Sequence, residues 1–368
     1  MNILHYLDSL NAGGIETSVL DLYRNASKNG LRMTVASGGG MLEEDYKKAN
    51  AANYISCHRN FPIDPRVILR LRKIVAQKKI KIIHVHNPVA AVHAYLASRL
   101  TDVKIIFSHH SYDDMDNYKD GLVRLYLMKA VDANIFVSHD LMEDYRAKYR
   151  FLKQYFVIGS GIDCRRLNVN KKVNIREELG IGRDEILLGV IGNFSGRVRD
   201  QMTICRVIPQ IIKSNPRVHF LFVGGVAGNG DRTYYNRCFS YCVKNNIMNN
   251  VHFLGIRKDI PQILANIQLL VHSSNRDTQS ITILEALAVG LPVVLSDIPS
   301  LKEYYGKCDS AIFFKAGNRK ELIDTLRMAL NNRSRNIKSY RATRRWIMRN
   351  FGINIYVKKL KSLYASLM

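Results

Sequence analysis

The sequence predicts an α/β protein built from two successive halves, each a parallel sheet covered by helices on both faces. Three observations support this. Short apolar runs alternate with helically spaced apolar residues from Asn2 to Ile158, the rhythm of parallel strands joined by crossover helices. Residues 159–184, GSGIDCRRLNVNKKVNIREELGIGRD, interrupt it with glycine, asparagine and charge. A second alternating set then follows. At 368 residues, 47% hydrophobic and with 8 prolines, the chain suits about two domains with real cores and is not disordered.

In the first half, strands are expected at Asn2–Tyr6, Met33–Ala36, Ile80–His86, Lys104–Phe107, Ala133–Val137 and Tyr155–Ile158. Helical patterns fall between most of them, near 15–29, 64–79, 89–100, 121–130 and 139–148. Residues 159–184 read as the linker. In the second half, strands are expected at Leu187–Gly192, His219–Val223, Val251–Leu254, Leu269–His272 and Pro292–Leu295, with Ala311–Phe314 as a further short candidate. The densest pattern is 268–298, QLLVHSSNRDTQSITILEALAVGLPVVLSDI. Its first apolar run is a strand and Ser273 to Ser280 a loop. Ile283, Leu284, Leu287 and Ala288 recur at helical spacing, so Thr282 to Val289 reads as a helix. Gly290 ends it as a left-handed cap. Pro292-Val293-Val294-Leu295 fits a strand buried on both faces.

Several loops carry chemistry. Asn11-Ala12-Gly13-Gly14-Ile15-Glu16 follows the first strand and opens a helix. Paired glycines let a backbone approach a phosphate closely, and they also serve a plain strand-to-helix turn. Glu16 favours the helix dipole. Phe107-Ser108-His109-His110-Ser111 lies at the carboxyl end of a strand, where open α/β sheets place reactive groups. His110 is the candidate there, and His109 points elsewhere. His84 and His86 share a face of a strand; with no third ligand in view, packing or cleft lining outweighs a metal site. In 268–298, the loop feeding a helix N-terminus offers an anion site, whereas Glu285 beyond it suits a neutral hydroxyl donor such as a ribose.

The segment Asp277, seven residues, Glu285-Ala-Leu-Ala-Val-Gly290-Leu-Pro292-Val-Val resembles the donor-binding motif of family 4 glycosyltransferases, retaining enzymes of the GT-B fold. The likeness runs over nearly the whole chain. The first acid, usually Glu in that family, is Asp277 here. The resemblance implies two Rossmann-like domains facing each other across a cleft, 1–168 for the acceptor and 169–352 for the nucleotide sugar, with 353–368 crossing back to the first. It implies that Gly13 and Gly14 lie beside the donor diphosphate, that Glu16 and His109 fall on the acceptor side, and that His110 contacts the donor sugar. The family's early arginine is Asn193 here. Its lysine aligns with Arg199, after what reads as a one-residue insertion, and Arg197 replaces the lost cation. Gly224 would turn toward phosphate or base, and Arg257 would lie near the base. The amides of Ser280, Ile281 and Thr282 would hold diphosphate or sugar hydroxyls, and Asp277 would orient the sugar. The donor would be a UDP- or GDP-linked sugar, with no cofactor and no metal.

Charge bears on partners. The chain has 55 Lys+Arg against 31 Asp+Glu, a net of +24. Residues 331–368 hold ten of the positive charges and no acid, and 64–81 pair further cations with Val67, Ile68, Leu71, Ile74 and Val75. Such patches suit an anionic membrane surface; no nucleic-acid-binding motif accompanies them. No apolar run reaches the ~18–20 residues of a membrane span. The N-terminus lacks the pattern of a secretion signal. The 6 cysteines show no zinc spacing, and Cys238 and Cys242 read as a buried or idle pair. The expectation is a cytoplasmic protein, peripheral at the inner face of the membrane, building a glycan or polyprenyl-diphosphate-linked product such as a capsule. The alternative is a catalytically impaired member acting as a basic membrane- or partner-binding subunit.

Overall fold

Two parallel sheets organise the chain. The computed structural model describes residues 1–112, 118–149, 154–169, 175–196, 198–226, 231–331 and 337–368. Among them the first unit comprises Met1–Ile162 with Phe351–Met368, and the second Asp163–Asn350.

The first sheet contains β1 (Asn2–Leu7), β2 (Arg32–Ser37), β3 (Tyr54–Ser56), β4 (Ile82–Val85), β5 (Lys104–His109), β6 (Ala133–Phe136) and β7 (Tyr155–Val157), in the order β3-β2-β1-β4-β5-β6-β7. Its helices are α1 (Gly14–Ala26), α2 (Glu43–Asn50), α3 (Pro65–Lys78), α4 (Pro88–Ser98), α5 (Tyr118–Ala130) and α6 (His139–Tyr149). Successive strand residues point to opposite faces. Ile3, Leu7, Val35 and Ile82 therefore enter one core, and Leu4, Tyr6, Ile83 and Val85 the other. Burial on both faces explains why these strands read as continuous apolar runs. The expected strands are present with ends shifted by up to two residues. The sequence reading missed α2, a polar helix burying only Tyr46, and β3, a three-residue edge strand.

Helix α3 starts at Asp64, whose carboxylate accepts from Arg66 N at 3.0 Å, with Pro65 in the first turn. Its Val67, Leu71, Ile74 and Val75 pack into the core, so that stripe is internal, and the outward side carries the cations together with exposed Leu69.

The second unit holds α7 (Ile175–Leu179), β8 (Ile186–Ile191), α8 (Gln201–Ser214), β9 (Val218–Val223), α9 (Arg232–Lys244), β10 (Val251–Gly255), α10 (Ile260–Asn266), β11 (Leu269–His272), α11 (Ile281–Val289), β12 (Val293–Asp297), α12 (Pro299–Tyr305), β13 (Ala311–Lys315), α13 (Arg319–Asn331) and most of α14 (Ile337–Phe351). Its strand order is β10-β9-β8-β11-β12-β13, all parallel. Gly290 caps α11 at φ 84°, donating to Ala286 O and Leu287 O, as the helix-stop reading expects. Cys238 and Cys242 are buried beside Cys205.

The expected linker is largely built into the second unit. Asp163 caps a 3-10 turn, Cys164–Leu167, accepting from Arg165 N at 3.0 Å, and Ile175 and Ile181 are buried. Residues 170–174 lie outside the described residues.

The last helix, α15 (Ile353–Ser366), buries Tyr356, Val357, Leu360, Leu363 and Tyr364 in the core shared with β1 and β2. It is fastened by Ile162 N donating to Phe351 O and Ile353 N donating to Ile162 O, both at 2.9 Å. Gly161 makes room: a Cβ there would sit 2.4 Å from Tyr356 Cβ. Among the described residues no helix is long and apolar enough to cross a membrane.

Candidate functional site

In the second unit the candidate groups stand at the carboxyl ends of β8, β9 and β11, with the start of α11. The β8 and β9 loops touch backbone to backbone. Gly192 N donates to Val223 O at 2.8 Å and Phe194 N to Gly225 O at 3.0 Å. A Cβ on Gly224, which has φ 141°, would fall 2.2 Å from Gly192 O, so only glycine fits. The Asn193 carboxamide oxygen accepts from Gly225 N at 3.3 Å. Asn193 thus ties the two loops together where the family places a cation.

Arg199 lies in the turn before α8, which Asp200 caps by accepting from Thr203 N at 3.1 Å. Its Nη1 reaches Asp277 Oδ2 at 2.5 Å and Ser274 Oγ at 3.3 Å, and touches His272. His272 Nε2 in turn lies 2.7 Å from the same carboxylate oxygen, and Thr278 N donates to Asp277 Oδ1 at 2.8 Å. Asp277 is 7% exposed. Burial alone would raise its pKa, but the Arg199 charge and the His272 hydrogen bond hold it below the ordinary carboxylate value. Burial, helped by Arg199, pushes His272 down.

Glu285 is 3% exposed on α11 and ion-paired with Arg166 of the 3-10 turn. Ser280 gives α11 no side-chain cap; its carbonyl accepts from Tyr305 Oη at 3.0 Å. Arg257 is taken up by two carboxylates, Asp259 at 2.7 and 2.8 Å and Glu178 at 2.7 and 3.0 Å. Those hydrogen bonds, Asp259 foremost, raise its pKa, and it serves as a clamp between α7 and the start of α10. Arg197 lies outside the described residues.

In the first unit, Gly13 is the N-cap of α1 with extended backbone, and Gly14 begins the helix. The Glu16 side chain folds back over Gly13, its Oε2 standing 2.4 Å from where a Gly13 Cβ would be. Burial pushes the Glu16 carboxyl up to about 7.

His109 and His110 separate. His109, the last residue of β5, is 2% exposed. Its ring stacks on Phe136 at 4.7 Å and lies against Phe107 and Tyr145, and its Nε2 bonds to Asn134 Oδ1 at 2.9 Å. It is a core residue, not an acceptor-facing one, because the strand continues through it and turns it onto the α5–α6 side. His110, just past the strand end, is half-buried, with its pKa pushed down to about 4 by desolvation.

His84 and His86 do gain a third neighbour. The β1–β4 register sets His5 beside His84, and one nitrogen from each of His5, His84 and His86 lies within 4.8 Å of the others. The sequence could not show this, because His5 lies on a different strand. All six ring nitrogens of the trio are engaged with one another, with Tyr364, with Ser108 or with His110.

Sequence reasoning missed Arg166 and His272. His272 carried a signal, a polar residue ending a buried strand. Arg166 carried none, lying 119 residues from its partner in a stretch that read as linker.

The description Glycosyltransferase Family 4 matches residues 12–166, and Glycosyl transferases group 1 matches residues 185–332. The chain is 26% identical over 237 residues to the O-antigen biosynthesis glycosyltransferase WclY of Escherichia coli, covering 62% of this chain and 64% of that protein. It thus spans less than two thirds of that relative. It is 22% identical over 314 residues to the UDP-Gal:alpha-D-GlcNAc-diphosphoundecaprenol alpha-1,3-galactosyltransferase of Escherichia coli, covering 83% of this chain and 80% of that one. The crystal structure of Anabaena Alr3699/HepE in complex with UDP-glucose superposes with a TM-score of 0.86 at 18% identity, over 100% of both chains. At that identity the likeness establishes the fold, GT-B.

Proposed function

The chain belongs to the family 4, group 1 glycosyltransferases, and on that premise we propose that it transfers a sugar from a nucleotide diphosphate donor to a glycan or polyprenyl-diphosphate-linked acceptor in cell-surface polysaccharide biosynthesis. The observation that carries this reading is the Arg199–Asp277–His272 cluster, its acid and imidazole buried and its guanidinium partly exposed, beside an α11 that opens without a side-chain cap. Cleaving a sugar–diphosphate bond builds negative charge on the leaving group and positive charge on the ring. A fixed guanidinium and helix-opening amides meet the first charge. Carboxylates meet the second. Arg199 and the amides of Ile281 and Thr282 neutralise the diphosphate with no metal required, Glu285 accepts from ribose hydroxyls, and Asp277 and His110 orient the sugar. The anomeric configuration is retained, as in the family.

Two resemblances support the finer choices. The HepE structure carries UDP-glucose, which favours a UDP-linked donor over a GDP-linked one. The galactosyltransferase acts on a diphosphoundecaprenol substrate, which favours a lipid-linked acceptor. The exposed side of α3, with Arg66, Arg70 and Lys73, lies near exposed Phe61, Ile63 and Leu69. That mixture suits peripheral contact with the anionic inner face of a membrane rather than nucleic acid. Relatives named as glycosyltransferases leave the impaired-subunit reading without support of its own.

The test is a thermal-shift panel of UDP- and GDP-sugars, since a ligand of the native state raises the melting temperature, followed by donor turnover. Wild-type turnover in both Arg199→Ala and Glu285→Ala would overturn the site. Binding to anionic vesicles that fails to weaken with salt would overturn the membrane contact.

A further inference from the structure

Six side chains of the first unit form one continuous hydrogen-bonded path. It begins at Ser108 on β5, whose Oγ lies 2.7 Å from His84 Nε2. His84 Nδ1 is 2.7 Å from Tyr364 Oη on α15. The same hydroxyl is 3.2 Å from His5 Nε2 on β1. His5 Nδ1 is 3.1 Å from His86 Nε2, and His86 Nδ1 is 3.0 Å from His110 Nε2. The path leaves β5 at Ser108 and ends at His110, just past the end of the same strand, having crossed β4, α15 and β1.

Every ring in it is neutral. Desolvation pushes His5 to about 3 and His110 to about 4, and holds His84 and His86 well below the ordinary imidazole value. A neutral imidazole has one N–H and one lone pair, and a hydroxyl can do both. In such a string each bond needs one donor and one acceptor, and between the rings the direction carries over from bond to bond. The Tyr364 oxygen has two lone pairs and could accept from both histidines, but its own O–H would then point at neither in a buried site, so a single direction throughout costs least. In one direction Ser108 donates to His84, His84 Nδ1–H to Tyr364, Tyr364 O–H to His5, His5 Nδ1–H to His86 and His86 Nδ1–H to His110, leaving the His110 proton on Nδ1. In the other direction every bond reverses and His110 carries its proton on Nε2. A break in direction at either ring-to-ring bond would set two N–H groups, or two lone pairs, face to face in a buried site.

We propose that Tyr364 is a positioning residue: by joining the two halves of this path, it ties the tautomer of His110 to Ser108 and His84. It thereby decides whether His110 Nδ1 acts as a donor or an acceptor. Tyr364 comes from the last helix, so that helix does more than close the fold; it completes the path that orients a strand-end histidine. The catalytic consequence rests on the reading of His110 as a donor-sugar contact.

The experiment is imidazole 15N spectroscopy on the full chain, with the His110 signals assigned by their loss in His110→Gln. The wild type should show one His110 tautomer. Tyr364→Phe should give the other tautomer or a mixture, and donor kcat should fall on the order of tenfold, the scale of one misdirected hydrogen bond. Ser108→Ala, a milder change at the far end of the path, should move the same signals and covers the case in which Tyr364→Phe folds poorly. An unchanged His110 tautomer in a folded variant overturns the proposal. Donor turnover separates the two readings. Full activity in His110→Gln defeats the sugar-contact assignment, while the tautomer result still decides the path.

Discussion

Arg199 Nη1 stands 2.5 Å from Asp277 Oδ2, so a cation and an acid far apart in the chain form one ion pair, with the carboxylate buried and the guanidinium partly exposed. The pair is further tied to His272 and Ser274. A guanidinium has five N–H donors in a fixed fork, and one nitrogen can hold the acid while others meet an anion. The pair therefore fixes Arg199 in place without competing with the proposed diphosphate contact.

Removing one partner should hurt twice. Arg199→Ala should lower donor turnover by roughly 10²–10³-fold, the scale of losing a preorganised charge at a developing anion. It should also destabilise the fold by about 3–5 kcal/mol, because Asp277 is left charged and buried. Adding Asp277→Asn should recover most of that stability without recovering turnover. Denaturant melts and donor hydrolysis on the single and double variants check both.

The same pair has a pH signature. Asp277 titrates below its unfolded value, so its stabilisation is complete above the unfolded pKa near ~3.9 and is lost as pH falls through the lower folded value. Asp277→Asn should be less stable than wild type at pH 7, with the gap closing only below pH ~4. A gap that closes between pH 7 and ~5 would point to a different group.

Arg166 and Glu285 should behave as a unit. Glu285→Gln should weaken UDP-sugar binding about 10–100-fold through the lost charge-assisted hydrogen bonds to the donor. Arg166→Ala should weaken it too, since Arg166 orients the acid, and should lower stability by removing the cation beside a buried carboxylate. Calorimetric titration with UDP-sugar against both variants, together with melts, tests this. Full binding in Arg166→Ala would show that Glu285 needs no such support.

Glu16 should cost stability at high pH. Its folded pKa is raised to about 7 against ~4.3 for the unfolded side chain. The native state then holds a proton that the unfolded state releases, so stability falls as pH rises through that window. Glu16→Gln should melt higher than wild type at pH 8, and the two should converge below pH ~5.

The buried histidines should give the opposite slope. His5 and His109 are pushed down to about 3 and His110 to about 4, while the unfolded chain protonates near ~6.5. Between those values the unfolded state binds more protons, and each such group removes about 1.4 kcal/mol of stability per pH unit as pH falls. Melting temperature should therefore drop steeply from pH 6.5 toward 4, and His109→Gln should make the drop shallower.

Local pattern determined much of this protein. The strands from Asn2 to Ala311, the Gly290 cap and the two-half organisation were legible because each depends on residues near one another in the chain: apolar periodicity, a left-handed glycine, a run buried on both faces. Asp277 and Glu285, the candidate donor-side residues, stood out for the same reason, since both belong to one loop and helix. Polar and very short elements escaped, as α2 and β3 show, because they bury too little to leave a pattern. What the sequence could not supply is pairing between distant segments. Arg166 meets Glu285 across 119 residues, and Tyr364 meets His5 across 359. His109 and His110, neighbours in sequence, part company only because β5 ends between them. Those relationships follow from strand register and from the packing of α15 on β1, which bring side chains together in space without any spacing rule along the chain.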